Sequence, residues 1–278
     1  MNSTTVEVEP GVNLHAVDSA VGREVGGGRP VVLLAGLGLD HESWAGPAAA
    51  LSRHHRVVRI DLRGTGRSDA PNAGYSLDRL AADVIAVLDR LDLADMVLIG
   101  HSFGAQIGLL VAATVPGRVS RLGLVCSNGV RASRSEAFPY GGPADRMEQA
   151  LVRAELENRE EARRRNVLAG FPASAVPDPD LVERLVTWQL RMPSEALIAS
   201  LRTYLHADLT EELATLKLPV LQILGAEDPV TSVDGGPWVQ ERLADGRLFV
   251  VDGCGHYPMF EAPERFEALL TGFAYGRM

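Results

Sequence analysis

The fold class of this chain is decided by the run Gly100-His101-Ser102-Phe103-Gly104. An apolar segment, Met96–Ile99, precedes it with the pattern of a buried strand, and Ala105–Val115 follows with the pattern of a helix. A strand that turns into a helix within so few residues holds the central residue at a strained backbone angle, and the flanking glycines keep side chains from colliding across the turn. Ser102 is therefore a candidate nucleophile, above a helix N-terminus that favours negative charge. A glycine-rich turn with a capping serine is the alternative interpretation.

Strand and helix patterns alternate on both sides of this turn. Nearly continuous apolar runs, typical of strands buried on both faces, occur at Val31–Ala35, Val57–Asp61 and Met96–Gly100. The strand pattern is repeated at Arg121–Val125, Val220–Leu224 and Arg247–Val251. Between two of the runs, Ser76–Leu91 has apolar residues at helical spacing, with Ser76 as a plausible N-cap. Thr5–Val8 and Asn13–Asp18 have the pattern of an antiparallel edge hairpin. The alternation predicts an α/β fold with a mostly parallel central sheet flanked by helices.

This alternation stops between Cys126 and Leu218. There Asp145–Ala169 and Asp180–Leu190 have helical patterns, and no strand pattern separates them. A stretch of roughly 80 residues is too long for a connecting loop. We therefore expect one α/β core, residues 1–130 and 216–278, that carries a helical cap at residues 131–215, called the insertion below.

Composition excludes several classes of function. The chain has 278 residues, a net charge of −9 and a pI near 5.3, which argues against a nucleic acid or an anionic membrane as partner. Cys126 and Cys254 make no disulfide framework and lack the spacing of metal ligands. The N-terminus has no signal-peptide pattern, and the apolar runs are too short to span a bilayer. We expect a cytoplasmic protein that acts on a small molecule without a metal.

A serine nucleophile needs a base and an acid that orients the base. His256 follows the last predicted strand inside a glycine-rich loop and is the candidate base. Asp228 follows the Val220–Leu224 strand and is the candidate acid, with Glu227 as the runner-up. The chain order of serine, acid and histidine is that of one of the three large serine-hydrolase lineages.

Two further sets of residues are candidates for the site. Backbone N–H groups of Leu37 and Phe103 are the expected oxyanion-hole donors, because Leu37 lies in a glycine-rich loop at a strand end and Phe103 follows the nucleophile. A simple glycine turn is the alternative for the first loop. In the insertion, Trp188, Tyr204 and Phe138 are candidates for an apolar substrate pocket, and packing within the insertion is the alternative for each.

Taken together, the motifs resemble those of the α/β-hydrolase superfamily. They are Gly36-Leu37-Gly38, Asp61–Asp69, the serine turn, Gly225–Pro229 and Gly255–Pro263. Within the superfamily, the chain is most similar to small bacterial serine esterases, lactonases, enol-lactonases and cofactor-free haloperoxidase-like enzymes. Two positions depart from the common pattern: Ala35 stands where a histidine often precedes the oxyanion glycine, and Ala105 where a second glycine often follows the serine turn.

The resemblance implies an enzyme that hydrolyses a carboxylic ester or lactone without a cofactor. Ser102 would form the acyl-enzyme, with His256 as base and Asp228 as its partner. Cleavage of a C–C bond in a β-diketone, or of an amide, is the alternative activity on the same fold. A non-catalytic binding protein is a third possibility, and the presence of all three triad residues argues against it.

Overall fold

The structure is a computed structural model that describes residues 2–19 and 28–277. Within these residues eight strands form one sheet in the order β1-β2-β4-β3-β5-β6-β7-β8. The strands are β1 (Asn2–Glu9), β2 (Val12–Asp18), β3 (Gly28–Leu34), β4 (His55–Ile60), β5 (Met96–His101), β6 (Val119–Val125), β7 (Val220–Gly225) and β8 (Gly246–Val251). Pairs β1/β2 and β2/β4 are antiparallel and all others are parallel. The expected mostly parallel sheet with an edge hairpin is confirmed.

Helices cover the sheet and fill the insertion. A 3-10 helix, His41–Trp44, follows β3. The α-helices are α1 (Ala45–Leu51), α2 (Leu77–Arg90), α3 (Phe103–Thr114), α4 (Ala144–Glu157), α5 (Arg159–Leu168), α6 (Pro179–Arg191), α7 (Ser194–His206), α8 (Thr210–Thr215), α9 (Gly235–Gln240), α10 (Pro258–Glu261) and α11 (Pro263–Tyr275). Of these helices in the described residues, none is long and apolar enough to cross a bilayer.

The central strands are buried on both faces, as their continuous apolar runs predict. Along β3, Val32 and Leu34 belong to one hydrophobic cluster, whereas Val31 and Leu33 belong to a second. Successive side chains of a strand point to opposite faces, so the two clusters are two cores, one on each side of the sheet. Helices therefore pack on both faces, and the loops at the carboxyl ends of the strands are left to form a site.

The insertion differs from the predicted pattern in two ways. Asp145–Ala169 was expected to be one helix, but it is divided at Asn158, whose φ of −157° is extended and whose side-chain oxygen accepts a hydrogen bond from the N–H of Glu161 at 3.2 Å. Asn158 thus ends α4 and caps α5. The sequence pattern also does not predict helices α7 and α8, although Pro193, directly before α7, marks a helix boundary.

The turn between β5 and α3 has the strained geometry expected from the sequence. Ser102 has φ 51° and ψ −117°, a conformation that L-residues rarely adopt. A Cβ at Gly100 would lie 2.3 Å from the carbonyl oxygen of Gly104. A Cβ at Gly104 would lie 2.5 Å from the carbonyl oxygen of Ala35. Both glycines are therefore required by backbone contacts that no side-chain rotation relieves.

Substituting Gly104→Ala is expected to lower the free energy of unfolding by about 1–3 kcal/mol or more, because its Cβ collides with backbone atoms. Gly108→Ala is the matched control on the same helix, since its Cβ would meet only side-chain carbons at 3.6 Å or more. That control is expected to be neutral or to stabilise by about 0.5–1 kcal/mol. Urea unfolding followed by circular dichroism measures both; equal stability of the two variants would contradict the steric argument.

Candidate active site

Ser102 lies at the carboxyl end of β5, on the side of the sheet edge that the insertion covers. It follows β5, precedes α3 and is 6% exposed. Beside it is a cavity of about 350 Å³ whose walls come from the loops of the core and from helices α4, α5, α6 and α7 of the insertion. Ser102 and His256 both line this cavity. The candidate nucleophile and the candidate base therefore face the same enclosed space.

Asp228 and His256 form a hydrogen-bonded pair. His256 Nδ1 lies 2.8 Å from Asp228 Oδ2, while Asp228 Oδ1 accepts hydrogen bonds from the N–H groups of Val230 at 2.8 Å and Thr231 at 3.0 Å. Burial raises the pKa of Asp228, but His256 and these two amides outweigh burial, so the pKa is lowered from its usual value. The carboxylate is ionised at neutral pH and accepts the proton of Nδ1. This arrangement leaves Nε2 of His256 available as a base.

Glu227, the runner-up for the acid, lies outside this pair. Its side chain is exposed and accepts a hydrogen bond from the hydroxyl of Ser174. Between the two neighbouring acids, the geometry therefore favours Asp228 as the partner of His256.

His101 supports the loop that carries the base. Its Nε2 donates a hydrogen bond to the carbonyl oxygen of His256 at 2.8 Å. Burial, and then the neighbouring His256, lower the pKa of His101 to about 3, so the ring is neutral and its proton lies on the nitrogen that faces the carbonyl. The side chain of His101 thus holds the His256 backbone in place.

The loop after β3 runs directly beside the nucleophile. A Cβ at Gly36 would lie 3.2 Å from Cβ of Ser102. Gly38 has φ +74°, in the left-handed region that favours glycine, and Leu37 between them lines the cavity. The N–H of Phe103, in the first turn of α3, has no acceptor within the helix. The segments that carry the two expected oxyanion donors therefore both lie next to Ser102.

Helix α6 of the insertion packs on this loop and the 3-10 helix after it. Nη1 of Arg191 lies 2.8 Å from Oδ2 of Asp40, and Asp40 Oδ1 caps the 3-10 helix by accepting from the N–H of Glu42 at 2.9 Å. Nε1 of Trp188 donates to Oε2 of Glu42 at 3.2 Å. Polar contacts thus tie the insertion to the candidate oxyanion loop.

One of the three aromatic residues expected to line the pocket does so. Tyr204 lies on the cavity wall. Trp188 and Phe138 do not: Trp188 is buried in the core cluster that contains the 3-10 helix, and Phe138 packs against the rings of Tyr140 and Trp238 at 5.0 Å. Neither residue is on the cavity wall, so packing, the alternative interpretation, describes both. Trp188 lies on α6, whose apolar face meets a core, and Phe138 lies in the loop before α4.

Tyr204 has a contact that the sequence did not predict. Its side chain lines the cavity together with Ser102 and interacts with it electrostatically, and its ring packs edge-on against Phe103 at 5.7 Å. Burial raises the pKa of Tyr204 to about 12. The phenol is therefore neutral at any ordinary assay pH and stays able to donate a hydrogen bond near Ser102.

Two clusters of described residues bring three metal-ligating side chains together. In the first, both oxygens of Asp61 accept hydrogen bonds from Nδ1 of His15 and His41, at 2.8 and 2.9 Å. The second consists of Asp228, His256 and Cys126, and burial raises the pKa of this thiol well above its usual value. Hydrogen bonds already use the atoms that an ion would need, and a protonated thiol is a poor ligand. Asp61 instead joins β2 to the 3-10 helix.

Comparison with known proteins identifies the family. A family model described as the alpha/beta hydrolase fold matches residues 29–263. That match spans most of the chain, so the chain belongs to the α/β-hydrolase family.

Relatives and solved structures extend the similarity to nearly full length. The chain is 30% identical over 258 residues to a non-heme chloroperoxidase of Streptomyces lividans, covering 88% of this chain and 91% of that protein. It is 27% identical over 250 residues to 3-oxoadipate enol-lactonase 1 of Acinetobacter baylyi, covering 87% of each. An esterase structure from Exiguobacterium antarcticum superposes with a TM-score of 0.91 at 24% identity, covering 99% of this chain and 100% of that one, which supports the fold. The protein is accordingly a hydrolase of this family.

Substituting each of the two neighbouring acids in turn should show whether Asp228 or Glu227 is the partner of His256. Asp228→Asn is expected to lower kcat for a p-nitrophenyl ester by about 10⁴-fold, because the amide no longer holds the imidazole in the required tautomer. Glu227→Gln is the matched control and is expected to retain the activity of the unchanged protein. Steady-state kinetics of both variants decide the assignment. A larger loss in Glu227→Gln would reverse it.

Removing the hydroxyl of Tyr204 tests its contact with the nucleophile. Tyr204→Phe keeps the ring against Phe103 but removes a hydroxyl that can hydrogen-bond to Ser102 or to the substrate, so kcat/KM is expected to fall by about tenfold. Tyr140→Phe is the control, because Tyr140 lies in the insertion and packs on Phe138 away from the cavity. If both variants hydrolysed a p-nitrophenyl ester as fast as the unchanged protein, the Tyr204 hydroxyl would have no part in the reaction.

Proposed function

We propose that the protein is a serine hydrolase that cleaves a carboxylic ester or lactone through a Ser102 acyl-enzyme. The observation that carries the proposal is the strained turn that presents Ser102 to a cavity shared with His256, whose Nδ1 is bonded to the buried Asp228. A serine hydroxyl at its ordinary pKa is a weak nucleophile, and this arrangement supplies the base that it needs.

In acylation, the hydroxyl oxygen of Ser102 attacks the substrate carbonyl carbon while Nε2 of His256 takes the proton. The imidazolium that forms is stabilised by the ionised Asp228 at 2.8 Å. Negative charge develops on the carbonyl oxygen, and the N–H groups of Leu37 and Phe103 are the proposed donors that stabilise it. His256 then gives its proton to the leaving alcohol oxygen, and the acyl-enzyme remains.

In deacylation, a water molecule takes the place of the alcohol. His256 removes a proton from the water, whose oxygen attacks the acyl carbon, and Ser102 leaves with the proton that His256 returns. Every proton moves through one histidine, so the reaction needs no cofactor. The insertion, proposed here as a cap, encloses the acyl group with apolar side chains of α4 and α7.

The nucleophile is tested by Ser102→Ala. This variant is expected to fold normally and to lose about 10⁴–10⁶-fold in kcat for a p-nitrophenyl ester, because removal of a triad member stops the covalent pathway. A fluorophosphonate probe is expected to label the unchanged protein and not this variant. Ser174→Ala, at an exposed serine, is the control that keeps both activity and labelling. Normal turnover by folded Ser102→Ala would refute the mechanism.

The class of bond is tested with a panel of substrates. We expect p-nitrophenyl esters of graded chain length and simple lactones to be hydrolysed, and the matched amides and a β-diketone to be resistant. Activity confined to amides or to the diketone would assign the alternative reaction. No activity towards any of these substrates, together with no labelling of Ser102, would favour a binding protein on this fold.

A further inference from the structure

We infer that Glu155 makes the cavity selective for substrates without a carboxylate, so that the substrate is a neutral ester or lactone. The inference rests on the proposed function and narrows it to a chemical class of substrate. The inference is based on the charged groups of the cavity wall, which differ from the residues that form the fold and the proposed triad.

Glu155 is an ionised group on that wall. It lies near the end of α4, is 4% exposed and lines the same cavity as Ser102. Arg163 donates to it from Nε at 3.1 Å and from Nη2 at 2.5 Å, and the hydroxyl of Ser194 donates at 2.7 Å. Burial raises the pKa of Glu155, but these partners outweigh burial and lower it. The carboxylate therefore keeps its charge at neutral pH.

Two cations lie beside Glu155, Arg163 and Arg159, and neither lines the cavity. Nε of Arg159 is 4.0 Å from Oε1 of Glu155, and its Nη2 donates to the carbonyl oxygens of Leu190 and Met192. Arg163 is fully buried, does not line the cavity and points its remaining Nη1 at the carbonyl oxygens of Gln189 and Met192. Among the described residues that line the cavity there is no lysine or arginine. The described residues of the wall include two acidic or basic side chains, Glu155 and the proposed base His256.

A substrate carboxylate in this cavity would lose its hydration and find no cation, and it would meet Glu155 as a like charge. A neutral chain meets no such cost. Most of the wall is apolar, from residues such as Leu151, Leu197 and Leu201, and the amides of Asn166 and Gln189 are neutral. Oε2 of Glu155 accepts only the bond from Arg163 Nε among the described contacts, so it can also accept one from a substrate hydroxyl.

The test uses three p-nitrophenyl esters with six-carbon acyl chains: the hexanoate, the 6-hydroxyhexanoate and the half-ester of adipic acid. They share one leaving group and one chain length and differ only in the end of the chain. At pH 7.5 we expect the hexanoate and the hydroxyhexanoate to be hydrolysed, with kcat/KM for the adipate half-ester at least tenfold lower than for the hexanoate. A difference smaller than tenfold would overturn the inference.

Glu155→Gln then tests whether the residue itself is responsible. The ratio of kcat/KM for the adipate half-ester to that for the hexanoate is expected to rise at least tenfold, because the like charge is gone. Glu148→Gln, on the same helix but off the cavity, is the matched control and should leave the ratio unchanged. A folded Glu155→Gln protein with the unchanged ratio would overturn the assignment; if this variant does not fold, the three-ester comparison alone decides.

The two proposals fail in different ways. If the protein hydrolyses none of the three esters and Ser102 resists the fluorophosphonate, the proposed function is wrong. If the hexanoate and the adipate half-ester are hydrolysed equally well, the proposed function stands and only the charge selectivity is wrong.

Discussion

The site depends on one close approach of backbone to backbone. The first turn of α3 lies so near the ends of β3 and β5 that Gly100 and Gly104 have no room for a Cβ. This approach fixes the strained φ of Ser102 and sets its side chain, the proposed nucleophile, at a helix N-terminus. Strain of this kind persists only where the surrounding structure over-determines it, and here two buried cores, one on each face of the sheet, hold the strand and the helix together.

Buried carboxylates organise the loops around that turn. Asp61 accepts from His15 and His41, Asp83 is held by both forks of Arg63 at 2.6 and 2.8 Å, and Asp228 accepts from His256. The hydrogen bonds and charges of its partners offset the desolvation free energy of each buried acid, and removing a partner would leave an isolated buried charge. Specific pairings therefore fix loops that hydrophobic packing alone would leave free to shift.

The core and the pairing of Asp228 with His256 follow closely from the sequence, whereas the insertion does not. Continuous apolar runs locate parallel strands, and residues after such strands meet at one edge of the sheet, so Ser102, Asp228 and His256 were expected together. The elements of the insertion are helices, so no strand pairing fixes the positions of their side chains relative to the site. Amphipathic helices show which face is apolar but not whether it meets a core or a cavity, which is why Trp188 was misplaced and the contact of Tyr204 with Ser102 was missed. Glu155 lacked a signal too, because its partner Arg163 stands in a mixed charge run typical of a solvated helix face.

The contacts of α6 with the loop after β3 link the proposed oxyanion site to the width of the cavity through which product would leave. Arg191 on Asp40 and Trp188 on Glu42 join a wall of the substrate chamber to the backbone proposed to hold the oxyanion. A displacement of α6 that widened the chamber for product release would pull on that backbone or break these bonds. With the oxyanion held as proposed, catalytic competence and the exit of product would be coupled in free energy, and a form of the protein more open at α6 would be less able to stabilise the transition state.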